Sequence, residues 1–563
     1  MKRTVLSMLE YAEKQYPDVK YVSKKTDAGW ESWTFGRVRN DATSFASFLI
    51  GKGLKKEDTV CILAEGSPEW VIAEFGVLMA GGISVPLSIK LLVEEIPFRV
   101  KHSGAKVFIT TGNQLDKVLS ALITARADTT IVIYLDDDAE RPDAVCAKTG
   151  FPRNNIVRFK DALEEGSASL SLRSAVLKEI EEAIDEHDTV TICYTSGTTG
   201  DPKGIMLTHL NYWANCKDAI ELFEGPYYFS TLIILPVDHS FAHTVGIYSA
   251  LLCGISLYFV DSRGGGIATL RNIPINLKEV EPIFLLTVPA LSGNFMKKIF
   301  SGIEEKGGFV EKLFKAGIKA GIAINGNGYN PVSFWVKFWN FPVRAIAKAL
   351  IFNKIKKMVF GKNIRFCVGG GALLDVKQQE FFAAFGVPIF QGYGLTEAAP
   401  IISSNTPSRH KFGTSGVVAP SVQCRILRPD GSECTVGETG EIVIRGENVM
   451  KGYFRNPEAT AKTLRDGYLY TGDLAYYDKD GFLVVVGREK ALLIAADGEK
   501  YSPEEIEEAI GTSTDCFAQI MAYNEQRKYT AGIVSLETGK VEKIIKNEGI
   551  KTAVELMKRL VEE

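Results

Sequence analysis

Tyr194-Thr-Ser-Gly-Thr-Thr-Gly-Asp-Pro-Lys-Gly204, directly after the strand-like run TVTIC, is the stretch on which the reading of this chain turns. Its glycines and four Ser/Thr hydroxyls let backbone N–H and side-chain O–H groups converge on phosphate oxygens, and Lys203 adds a point charge. An ordinary Ser/Thr/Gly turn would not need that lysine after Pro202. The string is a phosphate cradle formed by Thr195, Ser196, Gly197, Thr198, Thr199, Gly200 and Lys203. It is not the GxxxxGK[ST] loop, because Pro202 replaces the second glycine and Gly204 follows the lysine.

Around the cradle, short β-branched runs alternate with helical patterns: TVCILAE, then SPEWVIAEFGVLMAGG, then ISVPL, and later KVFITT and TIVIYLD. That rhythm predicts an α/β fold. From about Gly413 to Gly487 the pattern changes to short strands separated by turn signals (PDGSE, GETGE, DKDG), which predicts a compact β unit. A helix signal at SPEEIEEAI, a strand pair and a terminal helix then predict a small α+β domain. The expected division is a large domain over 1–486 with a β-rich part at 413–486, a connector at 487–490, and a small domain over 491–563. A chain of 563 residues exceeds what one core organises.

With 46% hydrophobic and 24% charged residues, the chain can bury large cores. Its 65 basic and 68 acidic side chains leave a net charge of -3, so no global field attracts nucleic acid. Nine scattered cysteines without a CxxC pair argue against a disulfide framework or zinc cluster and for a reducing cytoplasm. The amino terminus meets Glu10 and Glu13 before any long apolar run, so it does not read as a secretory signal. The uncharged stretch from His239 to Val260 is broken at Gly254 and fits a helix followed by a buried strand better than a membrane span.

Further strings carry chemistry of their own. Phe366-Cys-Val-Gly-Gly-Gly-Ala372 holds a glycine turn, Gln391-Gly-Tyr-Gly-Leu-Thr-Glu397 offers a hard oxygen ligand, and Tyr470-Thr-Gly-Asp473 a carboxylate suited to a diol. Together with the cradle and Gly487-Arg-Glu-Lys490, in this order, they make the chain resemble the adenylate-forming (AMP-binding) superfamily, with long-chain fatty acid–CoA ligases as its nearest branch. The resemblance implies two sheet-and-helix subdomains and a β-barrel-like subdomain, followed by a small α+β domain shorter than usual. It also implies Mg²⁺, with ATP and CoA as co-substrates.

By the same resemblance Glu397 would hold Mg²⁺ and Thr396 would contact the α-phosphate. Gln391, Gly392, Tyr393 and Gly394 would border the adenine, with Gly370, Gly371 and Ala372 as its close wall. Asp473 would bind the ribose, Arg488 and Lys203 would neutralise charge, Lys490 would be the hinge, and His239 in LPVDHSFAHTVG would border the acyl channel. His239 and His243 also have the HxxxH spacing of two metal ligands, and His243 fits a satisfied core histidine equally. Family members carry a late lysine that bridges carboxylate and α-phosphate; Lys540 in LETGKVEK is the nearest candidate, although it directly follows the strand AGIVSL.

Two features point to a fatty acid: the insertion between Pro289 and Gly369, and the string GREKALLIAADGEKYSPEEIE, which looks like the long-chain branch. Between Lys312 and Leu374 stand eleven Lys or Arg and no Asp or Glu. Within 331–362, SFWVKFWNFPVRAIAKALIFNKIKKMVF interleaves aromatics with basic residues, either as a peripheral contact with the inner face of an anionic membrane or as a helical hairpin with aromatics packed inside. A fatty acyl-AMP ligase or an acyl carrier protein ligase would share every nucleotide motif and differ only in the thiol acceptor, and the lack of an obvious late lysine leaves open a membrane-associated acyl or nucleotide binder without turnover.

Overall fold

The computed structural model describes residues 2–195, 201–489, 492–495, 500–501, 503, 506–507, 510, 516–527, 529–548, 550 and 555–556. It separates into two compact units, Met1–Gln423 with Ile444–Leu469, and Cys424–Val443 with Tyr470–Glu563.

The first unit is built on two sheets. Eight strands lie in the order Gly452–Tyr453, Lys203–Thr208, Thr189–Thr195, Ile83–Pro86, Thr59–Leu63, Val107–Thr110, Ile131–Tyr134 and Ile156–Arg158. The last six are parallel, and the first two join antiparallel. Strands such as Thr59–Leu63 are buried at every position, as expected for a sheet covered on both faces. Helix Pro68–Met79 starts where Ser67 accepts from the Trp70 N–H, with Pro68 in the first turn.

The second sheet has nine strands, ordered Val417–Val418, Ile401–Ser404, Ile389–Gly394, Phe366–Gly369, Phe284–Thr287, Ser230–Ile233, Ser256–Phe259, Lys20–Thr26 and Gly29–Thr34. Its centre is parallel, so the carboxyl ends of Phe284–Thr287, Phe366–Gly369 and Ile389–Gly394 open on one side. Crevices at such ends are where open α/β sheets bind ligands. The stretch from His239 forms a π-helical turn Ala242–Tyr248, a short helix Ser249–Cys253 closed by Gly254 in the left-handed region, and the strand Ser256–Phe259.

The aromatic segment is helical from Phe334 to Val359, with a π-helical turn at Lys348–Phe352. Its inner face places Ala347, Ile351, Phe352 and Ile355 in the core. A Cβ on Gly317, in the helix Gly308–Asn325, would come within 2.3 Å of the Ala347 Cβ, so the two helices approach closely through small residues. No bulky ring fits that seam. Phe334, Trp335, Phe338, Trp339 and Phe341 therefore point outward, 52–72% exposed, which overturns the reading with these aromatics packed inside. Among the described residues no helix is long and apolar enough to cross a membrane.

In the second unit the strand Tyr468–Tyr477 pairs antiparallel with Leu483–Arg488 and neighbours Gly440–Arg445, beyond which lies Gln423–Leu427. Further on, Phe517–Tyr523 and Ala531–Leu536 form an antiparallel pair, followed by the helix Thr538–Glu548, which carries Lys540. Val541 of that helix and Cys516 are its buried centre.

Candidate functional site

Two neighbouring parallel strands deliver the first part of the site. Gly369 is in register with Gln391, so the turn Gly370-Gly371-Ala372 and the string Gly392–Glu397 leave the sheet side by side. Gln391 is buried and stitches them together: its Nε2 donates to the Ala372 carbonyl at 3.0 Å and the Gly392 carbonyl at 3.1 Å. Its Oε1 is buried and has no partner among the described residues, which leaves an acceptor suited to an amino donor such as adenine carries. Gly371 has φ +84°, a region that favours glycine, and a Cβ on Gly370 would stand 3.6 Å from the Phe241 ring.

Gly394 is required for a different reason. A Cβ there would lie 1.9 Å from the Pro400 carbonyl oxygen, because Leu395 N–H donates to that same oxygen and the chain folds back at Thr396–Ala398. Gly394→Ala is expected to displace the turn that carries Thr396 and Glu397 and to cost about 2 kcal/mol or more of stability, read as a lower unfolding midpoint in urea. An unchanged midpoint would remove the steric argument.

Glu397 and Lys203 meet through a residue that motif reading missed. The Tyr453 hydroxyl donates to Glu397 Oε1 at 3.0 Å, and the Lys203 ammonium lies 4.9 Å from the centre of the Tyr453 ring. The neighbouring Met450 N–H donates to the Glu397 carbonyl at 2.8 Å. Burial and the adjacent Glu397 push the Tyr453 hydroxyl well above the usual tyrosine range, so it remains a donor. The signal for Tyr453 is not local: Gly452–Tyr453 reaches Lys203 only because it pairs with the far edge of the cradle hairpin, Tyr453 opposite Ile205. Thr195 closes the other side of that hairpin opposite Lys203. Ser196, Gly197, Thr198, Thr199 and Gly200 lie outside the described residues, as does Lys490.

His239 is exposed, and its Nδ1 accepts from the Phe241 N–H at 3.1 Å. His243 is fully buried, with its Nε2 donating to Glu74 Oε1 at 2.8 Å. The metal reading of HxxxH fails on placement: His243 is sealed in the core while His239 is exposed, and among the described residues no group of three or more His, Cys, Asp or Glu could hold a metal ion. A small apolar cavity lies against the same sheet, lined by Ala219, Ile220, Phe223, Val245, Phe284 and Val368.

In the second unit Asp473 is nearly buried and accepts from Arg488 Nε at 3.0 Å, the two standing opposite each other in adjacent strands. Gly472 takes φ +70°, and the Asp473 N–H donates to Thr471 Oγ1 at 3.1 Å, fixing the carboxylate at the bend.

Parallel strand ends bearing a glycine turn and a carboxylate, with Lys203 brought to that carboxylate through Tyr453, suit a nucleotide-handling α/β enzyme. Residues 9–454 match the family of AMP-binding enzymes, and the chain belongs to that family. It is 27% identical over 556 residues to a peroxisomal long chain acyl-CoA synthetase of Arabidopsis thaliana, covering 96% of this chain and 74% of that protein. It is 26% identical to a chloroplastic long-chain-fatty-acid–[acyl-carrier-protein] ligase of the same plant, with coverage of 89% and 72%. Among solved structures, the adenylation domain of a carboxylate reductase from Mycobacterium chelonae superposes with a TM-score of 0.76 at 18% identity, over 99% of this chain and 83% of that one.

Proposed function

We propose that this protein joins a long-chain fatty acid to coenzyme A at the expense of ATP. A carboxylate oxygen attacks the α-phosphorus of ATP, the acyl–phosphate bond forms, and pyrophosphate leaves. The sulfur of CoA then attacks the acyl carbon, and AMP leaves with the bonding oxygen. The observation that carries this reading is the Lys203–Tyr453–Glu397 constellation beside the glycine turn, in a chain whose relatives include long-chain acyl-CoA synthetases. Glu397 fits Mg²⁺, which prefers one or two carboxylates plus substrate phosphates to an all-protein cage, and the ion would supply charge neutralisation at the phosphates.

Thr396 and Lys203 bind phosphate oxygens, Tyr393 and the turn Gly370–Ala372 border the adenine, and Gly392 and Gly394 keep that border thin; in the second unit Asp473 offers a carboxylate suited to a ribose diol and Arg488 a positive charge. His239 borders the acyl entrance. Residues 491–563 act as a small domain that turns about the connector 487–490, at Lys490, between the two steps. The test is pyrophosphate release from ATP and palmitate, with products analysed in the presence of CoA, of acyl carrier protein, and of neither. Thioester formed on carrier protein but not on CoA would establish the second reading, which the chloroplastic relative favours.

The tail is assigned to the apolar cavity because its lining is almost wholly apolar and each methylene buried there contributes about 0.8 kcal/mol. Val245→Trp fills it. Excluding about three methylenes costs about 2 kcal/mol, so KM for palmitate is expected to rise roughly thirtyfold while KM for ATP is unchanged. Equal effects on both substrates would assign the cavity no acyl role.

A peripheral position on the inner, cytoplasmic face of an anionic membrane belongs to the same proposal. It is supported by the outward aromatics of 331–362 and the exposed Lys337, Lys348, Lys354 and Lys357 among them.

A further inference from the structure

The π-helical turn Ala242–Tyr248 is anchored on four sides. Just before it, Phe241 stands against Gly370 of the glycine turn. His243 Nε2 donates to Glu74 Oε1 in the helix Pro68–Met79. The Thr244 hydroxyl donates to the Ala399 carbonyl at 2.7 Å, two residues past Glu397, and Tyr21 OH donates to the Ile247 carbonyl at 3.0 Å. Val245 and Ser249, on the remaining side, line the apolar cavity. This short segment thus touches the nucleotide turn at one end and the cavity wall along its middle. Insertions of the π type are frequent at functional sites because the extra residue re-aims its neighbours.

Of the four anchors, Glu74–His243 is the one whose chemistry exceeds a structural need. Both side chains are wholly buried, His243 between the rings of Trp70, Tyr212 and Tyr248, and His243 Nδ1 has no partner among the described residues. Removing two such groups from water is costly, and an apolar pair of equal volume is often as stable or more so. What an apolar pair lacks is direction: a 2.8 Å hydrogen bond fixes the depth and rotation of the segment as contact packing does not.

We propose that Glu74 and His243 are a positioning pair that sets which acyl chains the protein accepts, by holding the turn Ala242–Tyr248 between Gly370 and the apolar cavity. The proposal rests on the reading that this cavity takes the acyl tail. Without the Glu74 bond the segment turns about the anchor that the Thr244 hydroxyl makes on the Ala399 carbonyl, so the cavity wall at Val245 moves while that anchor keeps its place beside Glu397 and Lys203 is held in the other sheet. Long chains, which reach past the wall, are affected more than short ones.

The experiment compares the wild type with Glu74→Gln and with the double variant Glu74→Leu/His243→Phe, on octanoate, laurate and palmitate. Glu74→Gln keeps an acceptor oxygen for His243 and is expected within about twofold of wild type on every acid. The double variant keeps volume without the hydrogen bond; its KM ratio of palmitate to octanoate is expected to change about tenfold, with KM for ATP unaltered. A change shared equally by all acids and ATP, or an unaltered chain-length profile in a folded double variant, overturns the proposal. If the double variant does not fold, the decision passes to Glu74→Gln and the single variant Glu74→Leu, compared by calorimetric titration with the same acids in the absence of ATP. There an altered profile in Glu74→Leu, spared in Glu74→Gln, supports the pair, and an unaltered one overturns it. Binding of acids without pyrophosphate release would overturn the ligase reading alone, whereas a wild type that binds no acid would overturn both.

Discussion

Glu397→Ala and Lys203→Ala will each lower fatty-acid-dependent pyrophosphate release by at least about tenfold, since removing one preorganised charge contact at a transferring phosphoryl group costs a few kcal/mol of transition-state stabilisation. The geometry allows a sharper expectation. Tyr453 spans the two residues, donating to Glu397 and offering its ring face to Lys203. Tyr453→Phe keeps the ring and loses only one hydrogen bond to a charged acceptor, so it is expected to cost about 2 kcal/mol, no more than either alanine variant. Glu397→Ala combined with Tyr453→Phe should cost little beyond Glu397→Ala alone, because the hydroxyl then has no carboxylate to orient. Initial rates with saturating ATP and palmitate, alongside unfolding midpoints to exclude misfolding, check this. Wild-type rates in both alanine variants would falsify the site assignment, and full additivity in the double variant would separate Tyr453 from Glu397.

The alternation of apolar runs and helical patterns was legible because it is local, and the parallel centres of the two sheets follow it. The motif strings were legible because each is short and local in sequence. What joins them was not. Tyr453 acts on Lys203 through pairing between strands about 250 residues apart, a contact no window of sequence contains. Gly394 reads as a glycine of a motif, but the reason for it, the Pro400 carbonyl, appears only once the chain has turned back. HxxxH failed as a metal signal because the fold buries His243 and exposes His239, and among the described residues brings no further ligands to them. The facing of the helix Phe334–Ala347 depended on Gly317, whose missing side chain lets Ala347 approach and leaves the rings no room inside.

That outward facing makes the second large expectation concrete. The protein is expected to sediment with vesicles containing phosphatidylglycerol at low salt and to fall to the level seen with neutral vesicles as salt rises, since each lysine near an anionic surface contributes about 1 kcal/mol and the field is screened within roughly 10 Å at 0.1 M salt. Replacing Lys354, Lys356 and Lys357 by Gln removes about 3 kcal/mol, which is roughly a hundredfold in partitioning. The aromatic contribution is separable. Trp335, Phe338 and Trp339 rest on one another, with ring centres 5.5–6.1 Å apart between neighbours, and project from the protein as one apolar patch. Changing all three to Ser should abolish binding to neutral and anionic vesicles alike, because burial of these rings does not depend on headgroup charge. The lysine variant should instead lose only the preference for anionic lipid. If the wild type stays in the supernatant at low salt, the rings serve no membrane, and the lysines are a solvated face. If the serine variant still sediments as the wild type does, the charges alone hold the protein and the helix lies on the headgroups without entering them.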